Sequence, residues 1–339
     1  MSFTSSGFIR GAIIALLVGV LAYGVLKSFG YVGQRIDEDD PAVLAKTALQ
    51  ALDAVKNRQP GDRRPASYDA VLAPLDKLLR QARDTLSSPD FNPVNDLEKI
   101  RVRANSVIDI ASQANNQAKT ETGPLAKDYR FNDQKAEACQ YLATALWERL
   151  LASRTRTSSS LENPPYPARE LDELRRVIEQ GLSAYSENRT LWYLRGVMNR
   201  AEGLFAAAAS DLERAVAIDA QFAEGWNVLG LVRISLKEFD KAEEALERAK
   251  ALVLEEARRL DAKPGPEYTA ILYNLATYHE GLAVFYNREN RITPTVESRR
   301  LLARHSEEAR RYLEEFLALE PAGSPDAQTA STKLSGLPR

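Results

Sequence analysis

Side chains able to do chemistry are sparse in this 339-residue chain. It holds two histidines, His279 and His305, and one cysteine, Cys139. His279-Glu280 opens the pattern by which a metalloprotease helix grips zinc. That pattern needs a second histidine four residues on, and position 283 is Ala. His305 lies among Arg304, Glu307 and Glu308 and is expected on a solvated face. A cysteine nucleophile requires a histidine as its base. Neither histidine is placed beside Cys139, which falls in an apolar helical stripe and reads as buried packing. Gly30–Gly33 lacks the Lys-Ser/Thr ending of a phosphate loop. Asn188-Arg189-Thr190 is a formal glycosylation sequon, but Asn or Thr at that point equally serves as a helix N-cap. The expectation is no catalytic residue, no metal and no cofactor.

Charge excludes a further class. Forty-five basic against 47 acidic residues give a net charge of −2, so no field gathers nucleic acid. Arg299, Arg300, Arg304, Arg310 and Arg311 form a basic run, interleaved by Glu297, Glu307, Glu308, Glu314 and Glu315. That run is expected as an ion-paired helix face.

Long Ala/Leu/Glu/Arg-rich stretches with a 3.6-residue period, and no alternating strand run, predict an all-α fold. Gly11–Leu26 is uncharged and 16 residues long, flanked by Arg10 and Lys27. Phe8, Ile9, Phe29, Tyr31 and Val32 extend it, so residues 8–32 are expected to meet the lipid bilayer and residues 1–33 to form a single-pass signal-anchor. A cleaved signal peptide, with Ala22/Gly24 or Ser28/Gly30 at the cut, is the competing reading, and a buried core helix a third. The body is expected outside the cytoplasm, on the periplasmic side if the cell is bacterial.

Residues 34–122 predict three helices. Asp40-Pro41 starts the first, with Leu44, Ala48, Leu52 and Val55 on one face, and Pro60-Gly61 ends it. Val71, Leu72, Leu75, Leu78, Leu79 and Ala82 mark the second; Leu97, Ile100, Ala104, Val107, Ile108 and Ala111 mark the third. They are expected to pack as a bundle cap or as a stalk near the membrane.

Beyond them a period emerges. Trp192 recurs as Trp226, Gly196 as Gly230, Phe205 as Phe239, Ala208 as Ala242 and Ala215 as Ala249, each pair 34 apart. A large aromatic, a Gly four later and Ala at two further points, repeated every 34 residues, resembles the tetratricopeptide repeat. The resemblance implies helical hairpins stacked into an α-solenoid over residues 123–321, with its best units at 189–222 and 223–256. The small residues let helices cross closely, and the aromatics fill the wedges. Leu171, Leu174, Ile178 and Gly181 fit the second-helix register one unit earlier, after an inserted loop at Arg154–Pro167. Leu272–Ala276 and Glu308–Pro321 resemble the two ends of a last unit, but Ala276 and Ala309 are 33 apart where a standard unit has 12, leaving 21 extra residues (33 − 12). Residues 322–339, rich in Gly, Ser, Pro and Thr, are expected to be a disordered tail.

In proteins that resemble this one, the first helix of each unit lines a concave groove. The matching positions are Thr190, Tyr193, Val197, Arg200, Glu224, Asn227, Leu231, Ile234, Tyr273 and Thr277, with Glu280 beyond. This mixture suits an extended or helical protein segment rather than a C-terminal carboxylate. The function implied is a non-enzymatic, membrane-tethered scaffold that binds membrane-associated proteins. A secreted or periplasmic peptide-binding chaperone is the alternative.

Overall fold

Periodic apolar stretches broken by proline and glycine give twelve helices and no strand among the residues that the computed structural model describes, 38–57, 68–120, 130–157 and 166–338. In chain order these are α1 (Pro41–Lys56), α2 (Asp69–Leu86), α3 (Leu97–Ala118), α4 (Arg130–Thr157), α5 (Ala168–Ala184), α6 (Arg189–Ala201), α7 (Phe205–Ile218), α8 (Ala223–Ser235), α9 (Phe239–Arg259), α10 (Pro266–Ile292), α11 (Val296–Leu319) and α12 (Pro325–Gly336). None of them is long and apolar enough to cross a membrane; the span expected within residues 1–33 lies outside the described residues.

Local chemistry sets the helix starts. Asp40 accepts from the Ala42 and Val43 amides, and Pro41 occupies the first turn, where its missing N–H goes unused. Asn188 accepts from the Leu191 amide at 3.0 Å, so the sequon is a helix cap. α4 continues to Thr157, taking the first residues of the expected loop into helix; residues 158–165 of that loop lie outside the described residues.

Each helix packs on the next, and α2, α4, α6, α8 and α10 also touch one another in succession. They form the inner layer of a stack, with α3, α5, α7, α9 and α11 outside it. The three early helices belong to this stack: α1–α3 share one core with α4–α6, running from Leu44 through Ile100 and Leu142 to Met198. Gln134 on α4 stitches the two parts, donating to Asp76 at 2.5 Å. Cys139 is fully buried there, beside Gly181, whose missing side chain admits Cys139 Cβ and Leu191.

The 34-residue period is a repeat of contacts. Trp192 donates its indole N–H to the Ser186 carbonyl at 2.7 Å, and Trp226 to Ala220 at 3.1 Å, each six residues back. A Cβ on Gly196 would stand 2.7 Å from Leu212 Cγ, and one on Gly230 2.6 Å from Leu246 Cγ. These are the close crossings within each hairpin. Ala208, Ala215, Ala242 and Ala249 are fully buried, and Phe205 is half-buried. Phe239 is 40% exposed, so it encloses α9 less than the period implied. Gly203 and Lys237 end the first helices in the same left-handed turn, with φ of 78° and 61°. The next amide in each case reaches back to the carbonyl five residues earlier, Leu204 to Asn199 at 2.8 Å and Glu238 to Arg233 at 2.9 Å.

One contact differs between the units. Asp211 is buried, held by Arg195 at 2.6 and 3.0 Å and by Asn199 at 2.7 Å. Thirty-four residues on, the same three places hold Ala245, Leu229 and Arg233.

The extra 21 residues of the last unit are helical. α10 and α11 are 27 and 24 residues long, against 13 and 14 in α6 and α7. Aligned on Ala276 and Ala309, residues 282–292 lengthen the first helix and 296–305 the second, carrying the turn about 16 Å farther at 1.5 Å per residue. The expected disordered tail is also helix. Ser324 caps α12 by accepting from the Ala327 amide at 3.0 Å, and Pro325 opens it. Ala327, Ala330 and Leu337 are buried at the end of the stack.

Four variants check this account. Gly230→Ala is expected to destabilise by about 1–2 kcal/mol through overpacking on Leu246. Lys237→Gly is expected to stabilise by roughly 1 kcal/mol, because only glycine adopts positive φ without penalty. Urea titration of the two variants should move the midpoint in opposite directions. Asp211→Ala should cost about 2–3 kcal/mol by leaving Arg195 without its carboxylate. Arg195→Leu with Asp211→Ala, the pair that the next unit carries, should recover most of that loss in the same titration.

Candidate functional site

The inner layer sorts the groove positions by how far each reaches solvent. Arg200, Glu224 and Thr277 are exposed, while Thr190, Leu231 and Ile234 are half-buried. Val197 is only 8% exposed and belongs to the core with Leu194 and Met198, so it does not line a groove. Its side chain is enclosed in the core that α6 shares with the preceding helices. Tyr193 stands edge-on to Phe222 at 5.1 Å, and burial pushes its phenol up to about 12. Asn227 accepts from Asn274 at 2.9 Å, joining α8 to α10. Tyr273 packs on Phe316 at 5.5 Å with Lys333 over its other side at 5.7 Å. Lys333 also pairs with Glu280, so α12 covers the last part of the inner face.

Glu224 borders a cavity of about 530 Å³ whose wall includes Arg189, Asp219, Phe222, Leu252, Glu255, Glu256 and Arg259. Arg189 is spoken for, paired with Asp219 and lying over Phe222 at 4.8 Å. Three carboxylates, Glu224, Glu255 and Glu256, thus face Arg259 alone. Glu256 pairs with Arg259 at 3.7 Å, and the cavity is acidic. It holds no nucleophile beside a base.

The two histidines are brought together, which the sequence reading did not foresee. His305 is buried, not solvated, and its Nδ1 lies 2.9 Å from Nδ1 of His279 across α10 and α11. The placement follows from helical period: Leu272, Leu275, His279 and Leu282 share one stripe, as do His305, Ala309, Tyr312 and Phe316. Those stripes were readable; that they meet depends on both helices being lengthened. Tyr286, His305, His279 and Tyr312 stack in sequence, with centroids 5.7, 5.2 and 5.7 Å apart. Tyr312 donates to Glu247 and lies beneath Lys250 at 4.8 Å and Arg311 at 4.6 Å. One Nδ1 must donate and the other accept, so at least one ring is neutral. Burial first, then His305, Arg304, Arg311 and Lys250, pull His279 down to about 3. Burial and Arg304 lower His305 as well, against Glu308. Among the described residues no three His, Cys, Asp or Glu side chains gather where a metal ion could be held. Burial also pushes the Cys139 thiol up to about 12, leaving it unreactive.

The basic run is paired only in part. Arg304 meets Glu243 at 3.2 Å, and Arg311 meets Glu308. Arg299, Arg300 and Arg310 make no ion pair among the described residues, which corrects the expected continuous ion-paired face.

A family model for the tetratricopeptide repeat matches residues 223–252. No curated protein matches the chain. Among solved structures, MamA is 14% identical over 65% of this chain and 94% of its own, with a TM-score of 0.36. Cut9, in the APC/C hetero-tetramer with Hcn1, is 15% identical over 93% of this chain and 58% of its own, at 0.35. Yeast Tom70 is 13% identical over 88% and 82%, at 0.21. At these scores no superposition bears on what the chain does.

The histidine pair predicts acid sensitivity with a definite sign. A ring at about 3 in the folded chain and near 6.5 unfolded binds fewer protons when folded. Its stabilisation is complete above pH 6.5 and is lost as pH falls toward 3. His279 alone should cost about 2 kcal/mol between pH 7 and pH 5. The urea midpoint should fall over that interval, and the fall should shrink in His279→Phe; equal falls in both proteins would refute the assignment.

Proposed function

We propose that this chain, a tetratricopeptide-repeat protein by its residues 223–252, is a non-enzymatic scaffold tethered to a membrane. Repeats of this family are surfaces on which proteins meet. The observation that carries the scaffold reading is the repeated contact set of α6–α9, with the Gly196 and Gly230 crossings and the matching tryptophan bonds. It makes a stack whose inner layer still offers Arg200, Glu224 and Thr277 to a partner. The acidic cavity beside Glu224 favours a protein segment that presents a basic side chain. Support for the tether comes from the uncharged Gly11–Leu26 between Arg10 and Lys27. Tethering restricts the search for membrane-associated partners to a surface and so raises their effective concentration. We place the body outside the cytoplasm.

The test is recovery of a partner from the chain's own cells after gentle detergent extraction and crosslinking. A stoichiometric protein partner is expected, and Glu224→Lys with Glu255→Lys should reduce its recovery at least about fivefold, equivalent to roughly 1 kcal/mol. An uncrosslinked monomer, or recovery unchanged by the double variant, counts against the inner-face reading. Intact mass settles the tether separately: retention of residues 1–33 with membrane-bound protein supports it, and their loss favours a released form.

A further inference from the structure

Twelve large apolar side chains are exposed among the described residues, and four fall within thirteen positions of the last hairpin. They are Val284 (58%), Phe285 (53%), Ile292 (69%) and Val296 (83%). Scattered exposed apolar residues are ordinary, whereas a group at one projecting point marks a surface that is covered in use. The neighbouring turn of α8–α9 reaches Tyr286, Leu301 and Arg304, where it helps to wall a cavity of about 420 Å³. Residues 291–297 lie past it and are all exposed.

This point is basic as well as apolar. Arg288, Arg291, Arg299 and Arg300 are exposed and unpaired among the described residues. Against Glu289 and Glu297 they leave a local charge of +2, in a chain whose total is −2. Helical spacing puts Phe285, Arg288 and Ile292 along one side of α10, while Val296 is one turn from Arg299 and Arg300 on α11. The tip is held in shape rather than floppy: Thr295 and Ser298 form a reciprocal cap, and Ser298 reaches Asn290 on the other helix at 3.3 Å.

We propose that the tip of this lengthened hairpin docks on an anionic lipid surface. Val284, Phe285, Ile292 and Val296 enter the headgroup layer while the four arginines meet the phosphates. The inference rests on the membrane-tethered reading, and it adds a second, reversible attachment through the folded body. Charge complementarity selects this occupant. A second copy meeting the first about a two-fold axis would press arginines against arginines. A convex end with four apolar side chains enters a lipid interface readily, where branched and aromatic residues are favoured beside basic ones.

The experiment uses the full chain carrying Val296→Cys, labelled with an environment-sensitive fluorophore. Cys139 is fully buried, so the new thiol takes the label. Protein is mixed with phosphatidylcholine vesicles, with or without phosphatidylglycerol, and floated. Emission from the floated protein should rise at least about threefold and shift to the blue with phosphatidylglycerol, and the combined variant Arg288→Gln, Arg291→Gln, Arg299→Gln and Arg300→Gln should abolish that difference. Floated protein whose label stays in an aqueous environment on anionic vesicles overturns the proposal. So does an emission change that follows protein concentration without vesicles, which would identify a second copy. Failure of the tether reads differently: the chain then stays at the bottom with neutral vesicles, whatever the label does on anionic ones.

Discussion

A helix of 13 residues laid against one of 14 cannot enclose an apolar core, and the rest of the structure follows from that shortage. Burial at about 25 cal/mol per Å² must be found between hairpins instead of within them. The crossings inside each hairpin are therefore squeezed to the point where Gly196 and Gly230 alone fit, so that the outward faces stay broad. Ala208 and Ala242 complete those crossings, and Ala215 and Ala249 are likewise fully buried. Val197 is drawn into the core that α6 shares with the preceding helices, so the inner layer offers fewer free side chains than its helix count suggests.

The last unit meets the constraint differently. Its 21 extra residues divide almost evenly between the two helices of the hairpin, eleven before the turn and ten after it. An even division keeps the base of the hairpin in register, and Ala276 and Ala309 are both buried there as small residues. Above the base the α8–α9 turn reaches as far as Tyr286, Leu301 and Arg304, and the tip beyond it is exposed. The hairpin supplies its own interior there, a ladder of Tyr286, His305, His279 and Tyr312, whose flat rings fill the gap between two helices and whose polar edges are satisfied locally. Aromatic and imidazole rings suit a two-helix interior because each spans the gap without requiring a third wall.

How much of this was legible depends on whether the signal was local or repeated. The twin units were readable from five pairs at one period, and α1–α3 from their apolar stripes and the Asp40-Pro41 start. α12 was missed although Ser324 and Pro325 announce a helix, because its buried side is only Ala327, Ala330 and Leu337, too slight a stripe to stand out from Ser, Thr and Gly. His305 was misplaced because its sequence neighbours Arg304, Glu307 and Glu308 are charged, while the positions that decide burial are Ala309 and Tyr312, four and seven residues on. The coverage of Glu280 and Tyr273 by Lys333 was beyond reach, since it needed α12 to exist and to turn back.

The ladder also determines what the tip can be. If residues 282–305 were joined to the body by solvent-exposed contacts alone, four exposed apolar side chains at the end would fold back onto the nearest hairpin to escape water. They are prevented by bonds from both helices of the hairpin to α9: Tyr278 donates to the Phe239 carbonyl at 3.0 Å, and Arg304 pairs with Glu243. Those contacts fix the direction in which the hairpin leaves the stack. The buried pair of imidazoles needs an uncharged ring, so this interior holds under the same conditions in which the body is stable. A stack that grows by repetition keeps much the same contacts along its length, and the place that departs most from them is free to carry different chemistry. In this chain that place is the last hairpin, which combines the buried histidines, the unpaired arginines and the apolar point.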